Sequence, residues 1–272
     1  MAIATAALFA CATGSPARAQ TPAADSWQLS DSWRFGATIY GYLPTISAKT
    51  QLPSGTTTDS SIDIGKTLSH LKMGFMGAAE AQKGRWGAFT DILYMDVGAA
   101  AAKTHEFHLG SVPIPADVTA STTLDLKATI WTLAGSYRVV ADPRVTFDVL
   151  GGARLLDLRV GQDYQLTGNI GPIAVADRSG SSNSSVKDWN AIIGAKGRFA
   201  LSDDRTWYLP YYVDVGTGDS KLTWQILGGV GYAFSWGDVS AVWRYLDFEG
   251  KSGSAIQNLN MNGPQVSVAF RW

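Results

Sequence analysis

Charged residues recur at alternating positions inside otherwise apolar segments: Arg34, Lys72, Glu80, Asp91, Asp148, Arg154, Lys196, Arg198, Asp214, Arg244 and Arg271. A charge withdrawn from water is costly unless it is paired, so opposite charges turned into one interior are expected to bond across it. Two kinds of chemistry follow. The charges either brace a wall by salt bridges, or line a narrow watery path whose mixed signs tune solute passage. The bracing role is the plainer reading, and both use the same residues.

Other chemistry-bearing residues are sparser. His70, His105 and His108 fall in segments read as external loops, and His105-Glu106-Phe107-His108 spaces two imidazoles three residues apart. Two imidazoles begin a transition-metal site, but no third ligand is placed by spacing, so no metal and no cofactor is assigned. Asp59, Asp63 and Asp117 would have to approach His70 or His105 to build an acid–histidine protease site or a serine–histidine lipid hydrolase. The motifs of the ten-stranded omptin proteases are missing, and no catalytic residue is assigned. Asp214-Val215-Gly216-Thr217-Gly218-Asp219-Ser220 sets two carboxylates about glycines, a pattern that suits calcium or a lipopolysaccharide bridge, but reads first as a turn. Gly228-Gly229-Val230-Gly231 lies inside an alternating stretch. There, glycine makes room for coiling or for a side chain opposite, and it does not form a phosphate loop.

The elements that must hold these residues are strands. Val266, Val268, Phe270 and Trp272 alternate with Gln265, Ser267, Ala269 and Arg271. Period two means one apolar and one polar face. The same alternation predicts strands over 33–43, 72–82, 86–97, 122–140, 145–165, 187–200, 207–215, 222–234 and 239–248. The pattern of 122–140 swaps faces near Thr129, which predicts a bulge there. Four tight turns, at Lys83–Arg85, Ala141–Arg144, Ser202–Arg205 and Ser235–Asp238, alternate with mostly longer loops. Those are Pro44–Leu71 (with a turn of helix from Ile64), Gly98–Ser121, Gly168–Val186, the short Gly216–Ser220 and the polar Glu249–Asn262. Ten strands, an even number, put both ends of the barrel on one side.

The chain of 272 residues carries 17% charged and 11% aromatic residues, with a formal net charge of -1. No basic stripe exists to neutralise phosphates, so no nucleic-acid partner is expected. No apolar run past the N-terminus approaches the roughly 18 residues of a membrane helix. Residues 1–19 read as a secretory signal peptide ending Ala17-Arg18-Ala19, with a short periplasmic lead-in at 20–31 and the barrel domain at 32–272. Cys11, the only cysteine, lies in that leader, so the mature chain has no disulfide framework.

Aromatic placement separates a membrane barrel from a soluble sandwich. Trp33, Trp86, Tyr137, Phe147, Phe199, Trp207, Phe234 and Trp272 lie near the tight-turn ends of their strands, and Trp189 and Trp224 near the loop ends. Trp33, Trp86, Trp189, Trp207, Trp224 and Trp272 are thus the expected membrane-interface residues. The final strand, closing on an aromatic, resembles the assembly signal of bacterial outer-membrane barrels. From Trp189 to Phe248 the chain resembles a group of small proteobacterial outer-membrane β-barrels. The shared features are Gly194, Gly197 and Arg198 on one strand, Asp214 to Ser220, Leu222–Trp224, and Arg244–Asp247.

The expectation is therefore an all-β, closed antiparallel up-and-down transmembrane barrel of about ten strands, with eight or twelve as alternatives. The resemblance implies the cell outer membrane with periplasmic termini. Its implied partners are outer-membrane lipid, lipopolysaccharide and, through the C-terminal strand, the barrel-assembly machinery. The expected role is a non-enzymatic structural barrel or narrow passive channel. The alternative is an external-loop binding or adhesion protein, ahead of a hydrolase.

Overall fold

The structure, a computed structural model, describes residues 29–51, 57–62, 64–65, 71–104, 108–109, 112–113, 116–170, 173–254 and 256–272. The expected leader, most of the lead-in, and His70, His105 and Asp63 lie outside the described residues. His108, Asp59 and Asp117 fall on strands.

Fourteen strands are present among the described residues: β1 (Arg34–Tyr42), β2 (Thr45–Gln51), β3 (Thr57–Ile62), β4 (Leu71–Lys83), β5 (Trp86–Thr104), β6 (His108–Leu109), β7 (Val112–Pro113), β8 (Ala116–Ala141), β9 (Val145–Ile170), β10 (Ile173–Ala200), β11 (Trp207–Gly218), β12 (Leu222–Ala233), β13 (Asp238–Glu249) and β14 (Ile256–Arg271). Ten of them form the wall, in the order β1-β4-β5-β8-β9-β10-β11-β12-β13-β14, and β14 pairs back onto β1 from Gly36↔Arg271 to Tyr42↔Gln265. The sheet is closed and antiparallel throughout. β2 continues the line of β1 past Leu43-Pro44 along the same flank of β14, and β3 hairpins onto it as an outer strand.

The four tight turns join strands at one end. Gly84 supplies a φ of 57° in the first, a conformation glycine adopts without penalty. In the third, Asp204 accepts hydrogen bonds from the Ser202 hydroxyl and from the backbone and hydroxyl of Thr206. Those donors, the Ser202 hydroxyl first, hold its carboxyl below the usual range.

Several segments expected as loops are strands. β5 runs on to Thr104, β8 begins at Ala116, β10 fills 173–186, and β14 begins at Ile256. Their Ser, Thr, Gly and Asn content imitates loop composition, because both faces of a sheet that has left an apolar surround tolerate polar residues. β2 and β3 likewise replace part of the expected Pro44–Leu71 loop, and among the described residues of the rest, 64–65 are helical.

The face swap expected near Thr129 does not occur. Along β8 the buried residues are Leu126, Ala128, Ile130, Thr132, Ala134, Ser136 and Arg138, all of one parity. Its register shift lies instead between Arg138 and Val140. What changes at Thr129 is the chemistry of each face. Below it the interior is mostly polar and the exterior apolar; above it the interior is Leu126 and Ala128, continued by Ile130 at the boundary, and the exterior carries Asp125 and Lys127. β9 repeats this, with Asp148 and Arg154 inside below, and Leu156 and Leu158 inside above. The same barrel is inside-out at the turn end and right-side-out at the loop end.

Candidate functional site: a bridged and filled interior

Alternation delivers Arg154 from β9, Asp214 from β11 and Arg244 from β13 to the interior, where all three are buried. Arg154 forms a two-pronged bond with Asp214, one prong at 2.9 Å. It also donates to Thr132 at 3.2 Å. The Arg154 and Asp214 side chains are 0% exposed. Arg244 reaches across the interior from β13 to Asp91 on β5 at 2.7 Å. It donates as well to Gln225 (3.0 Å), the Tyr40 hydroxyl (3.1 Å) and Gln265 (3.4 Å). The Tyr40 hydroxyl in turn donates to Asp91, and the guanidinium lies over the rings of Tyr40 and Tyr42. A buried guanidinium needs this many acceptors to offset its lost hydration.

A second layer lies nearer the tight turns. Lys196 bonds Glu80 across the interior and sits over the Phe89 ring. Arg138 clasps Asp148 on the adjacent strand with bonds of 2.7 and 3.0 Å. Arg198 (2.9 Å) and Arg271 both bond Asp238, which also accepts from the Tyr208 hydroxyl at 3.2 Å. A cavity of about 100 Å³ remains between them, lined in part by Thr38, Glu80, Phe89, Arg198 and Arg271. Arg34 stands opposite Gln82 at the same end.

Above the two charged layers an apolar cluster fills much of the interior, while Asn190, Ser220 and Thr223 are buried on the β10–β12 side. Tyr42, Leu93, Met95, Ile130, Leu156, Leu158, Leu246, Leu259 and Met261, from β1, β5, β8, β9, β13 and β14, are each below 2% exposed within one continuous cluster. Tyr42 donates its hydroxyl to the carbonyls of Met261 (2.9 Å) and Arg244 (3.1 Å), tying this cluster to the charged layer beneath.

Of the charges expected to point inward, Lys72 alone is turned outward. A register shift between Leu71 and Met73 turns it outward, where it pairs with exposed Asp125 over Gly98. Arg138 and Asp238 belong to the network and were not among the expected inward charges; Gln225 and Gln265, uncharged residues of the polar strand faces, join it through Arg244. Asp238 had looked like a turn residue, although it shares parity with Arg244. The expected carboxylate pair of 214–220 is divided. Asp214 is buried beneath Arg154, and Asp219 accepts from the Trp189 backbone N–H at 2.8 Å. Among the described residues no three His, Cys, Asp or Glu side chains gather as a metal cage.

The outside carries two belts. At the turn end, Trp33 stacks on Phe35 and Phe35 on Trp272; Phe270 meets Trp236, which stacks on Phe234; Tyr232 meets Phe234 and Trp207; and Trp86 meets Tyr137. At the loop end, Trp131 lies edge-on to Trp189 and Trp224 stacks on Tyr245. Between them Ile39, Ile193, Val213, Ile226 and Val266 are exposed, Ile193 to 68%. Ten residues separate Trp224 from Phe234 on one line of chain. At about 3.3 Å per residue and a tilt of about 40°, that is about 25 Å of height.

No protein-family model matches the chain, and no curated protein matches it in sequence. Among solved structures it is similar to Ail, the attachment invasion locus protein of Yersinia pestis, at 7% identity over 89% of this chain and 99% of that one, with a TM-score of 0.30. It is similar also to the translocator domain of the autotransporter NalP from Neisseria meningitidis (13% identity, 91% of each chain, TM-score 0.36). A third is the P. putida toluene transporter TodX (9% identity, 92% of each chain, TM-score 0.27). These are outer-membrane β-barrels. Likeness at this level concerns barrel architecture alone.

Proposed function

We propose that this chain is an integral barrel of a bacterial outer membrane that stands closed, a structural, non-enzymatic element with no standing path for solutes. The observation that carries this reading is the filled interior: two layers of cross-braced charge beneath a packed apolar cluster. The outer-membrane setting draws on the exposed apolar zone between two aromatic belts. Hydrocarbon offers no hydrogen bonds, and a closed sheet satisfies its own backbone there. Of the two interior roles open from the sequence, bracing is supported by the pairing of Arg154, Lys196, Arg198 and Arg244, each bonded to a carboxylate.

The test is single-channel recording of refolded protein whose folding is verified by heat-modifiable gel mobility. A folded barrel without discrete conductance steps is expected; reproducible steps would replace this reading with a narrow channel. A second reading, binding at the loop end, is favoured by one observation. β8, β9 and β10 run 26, 26 and 28 residues, far beyond the belts.

A further inference from the structure

β10 loses a neighbour partway along its length. Its pairing with β11 covers Asn190↔Gly218 to Ala200↔Tyr208. The chain then turns into β12, and Asp219 closes the last rung. Its N–H donates to the Trp189 carbonyl at 2.9 Å, and its carboxylate accepts from the Trp189 N–H. Beyond Trp189, β10 keeps β9 on its other side, in unbroken register from Lys187↔Asp157 to Arg178↔Leu166.

Successive residues of an antiparallel strand direct their backbone groups to opposite neighbours. Trp189 and Ala191 address β11, so the residues of the same parity above them, Ser179, Ser181, Asn183, Ser185 and Lys187, address the side where β11 has ended. Among the described residues no strand pairs there. An edge of this kind is usually blunted by charge, proline or a bulge. Lys187 sets one charge at the foot of this edge; from Ser179 to Val186 there is no charged residue and no proline, and the register with β9 is unbroken.

We propose that this edge receives an extended segment of another protein as an added antiparallel strand. Main-chain hydrogen bonds would supply the affinity, and the Ser- and Asn-rich edge would favour an uncharged, proline-free segment. A second copy fits less well. Two copies inserted in one membrane share the same up–down sense, so their β10 edges would meet parallel. Every pairing of the wall is antiparallel, and parallel pairs are the weaker kind. The proposal rests on the membrane-barrel reading, which fixes that sense.

The probe is a fluorescein-labelled octapeptide of alternating Thr and Val, titrated to about millimolar concentration onto protein refolded in lipid nanodiscs. Saturable binding is expected, with slowed amide exchange at Ser181, Asn183 and Ser185. The same peptide N-methylated on alternate residues is expected not to bind. Asn183→Pro removes an edge N–H that β9 does not use, and should weaken binding about tenfold while N183A leaves it unchanged. Both variants should keep heat-modifiable mobility. Absence of saturable binding to folded protein, or binding indifferent to Asn183→Pro and Ser181→Pro together, overturns the proposal. High-yield disulfide cross-linking of Asn183→Cys between copies in the bilayer would overturn it in favour of a dimer edge. Loss of heat-modifiable mobility in the unaltered protein would instead sink the barrel reading beneath it.

Discussion

Arg244 on β13 and Asp91 on β5 meet at 2.7 Å from opposite sides of the barrel, with three further acceptors on the same guanidinium. The pair is a cross-brace and a buried one. Removing one member leaves the other uncompensated, which costs about 3–5 kcal/mol, whereas exchanging both for apolar residues of similar bulk is often nearly neutral. Arg244→Ala should therefore lower the unfolding free energy in bilayers by about that amount, followed by tryptophan fluorescence in urea. The pair Arg244→Leu with Asp91→Leu should recover most of the loss. A cost under about 1 kcal/mol for Arg244→Ala would show that the brace is ornamental.

On the proposed reading, the apolar cluster and the charged layers block the interior in series. Breaking the brace alone should thus leave the barrel electrically silent, because Leu93, Leu156 and Leu246 still close the loop end. Truncating those three to Ala together with Arg244→Ala should admit ions, seen as discrete conductance steps. Steps from Arg244→Ala alone would mean that the apolar cluster does not seal.

The ten wall strands were legible because alternation survives wherever one face meets an apolar surround and the other does not. The inward parity of Arg154, Asp214 and Arg244 was readable for the same reason. What escaped reading was the change of surround. At Thr129 the two faces trade polarity without any slip, which looks identical in sequence to a bulge. Pairing was also invisible: Arg244 finds Asp91 only because four strand neighbours later the wall curves round to face itself. Asp238 was hidden by the turn beside it.

Gly231 shows what a missing side chain permits. A Cβ there would lie 2.3 Å from the ring of Tyr208, whose hydroxyl reaches Asp238. Overpacking of this kind typically costs about 1–3 kcal/mol. Gly231→Ala should destabilise the barrel by that amount. In a Tyr208→Ala background the same change should cost much less. Equal costs in both backgrounds would place the strain in the backbone of β12 and not in the ring.

Two exterior positions on one strand, Ile193 and Ser185, test where the apolar surround ends. Both side chains are exposed and share parity on β10, eight residues apart, with Trp189 midway. If Trp189 marks the interface, Ile193 lies in hydrocarbon and Ser185 in water. Arginine at the bilayer midplane costs about 2–4 kcal/mol and close to nothing beyond the interface. Ile193→Arg should therefore lower the unfolding free energy in bilayers by about that amount, and Ser185→Arg should leave it unchanged. In detergent micelles, which deform around a charge, the difference should shrink. Equal, small effects at both positions in a bilayer would mean that water bathes the whole exterior, and that the exposed Ile, Val and Trp side chains await a protein partner instead of lipid.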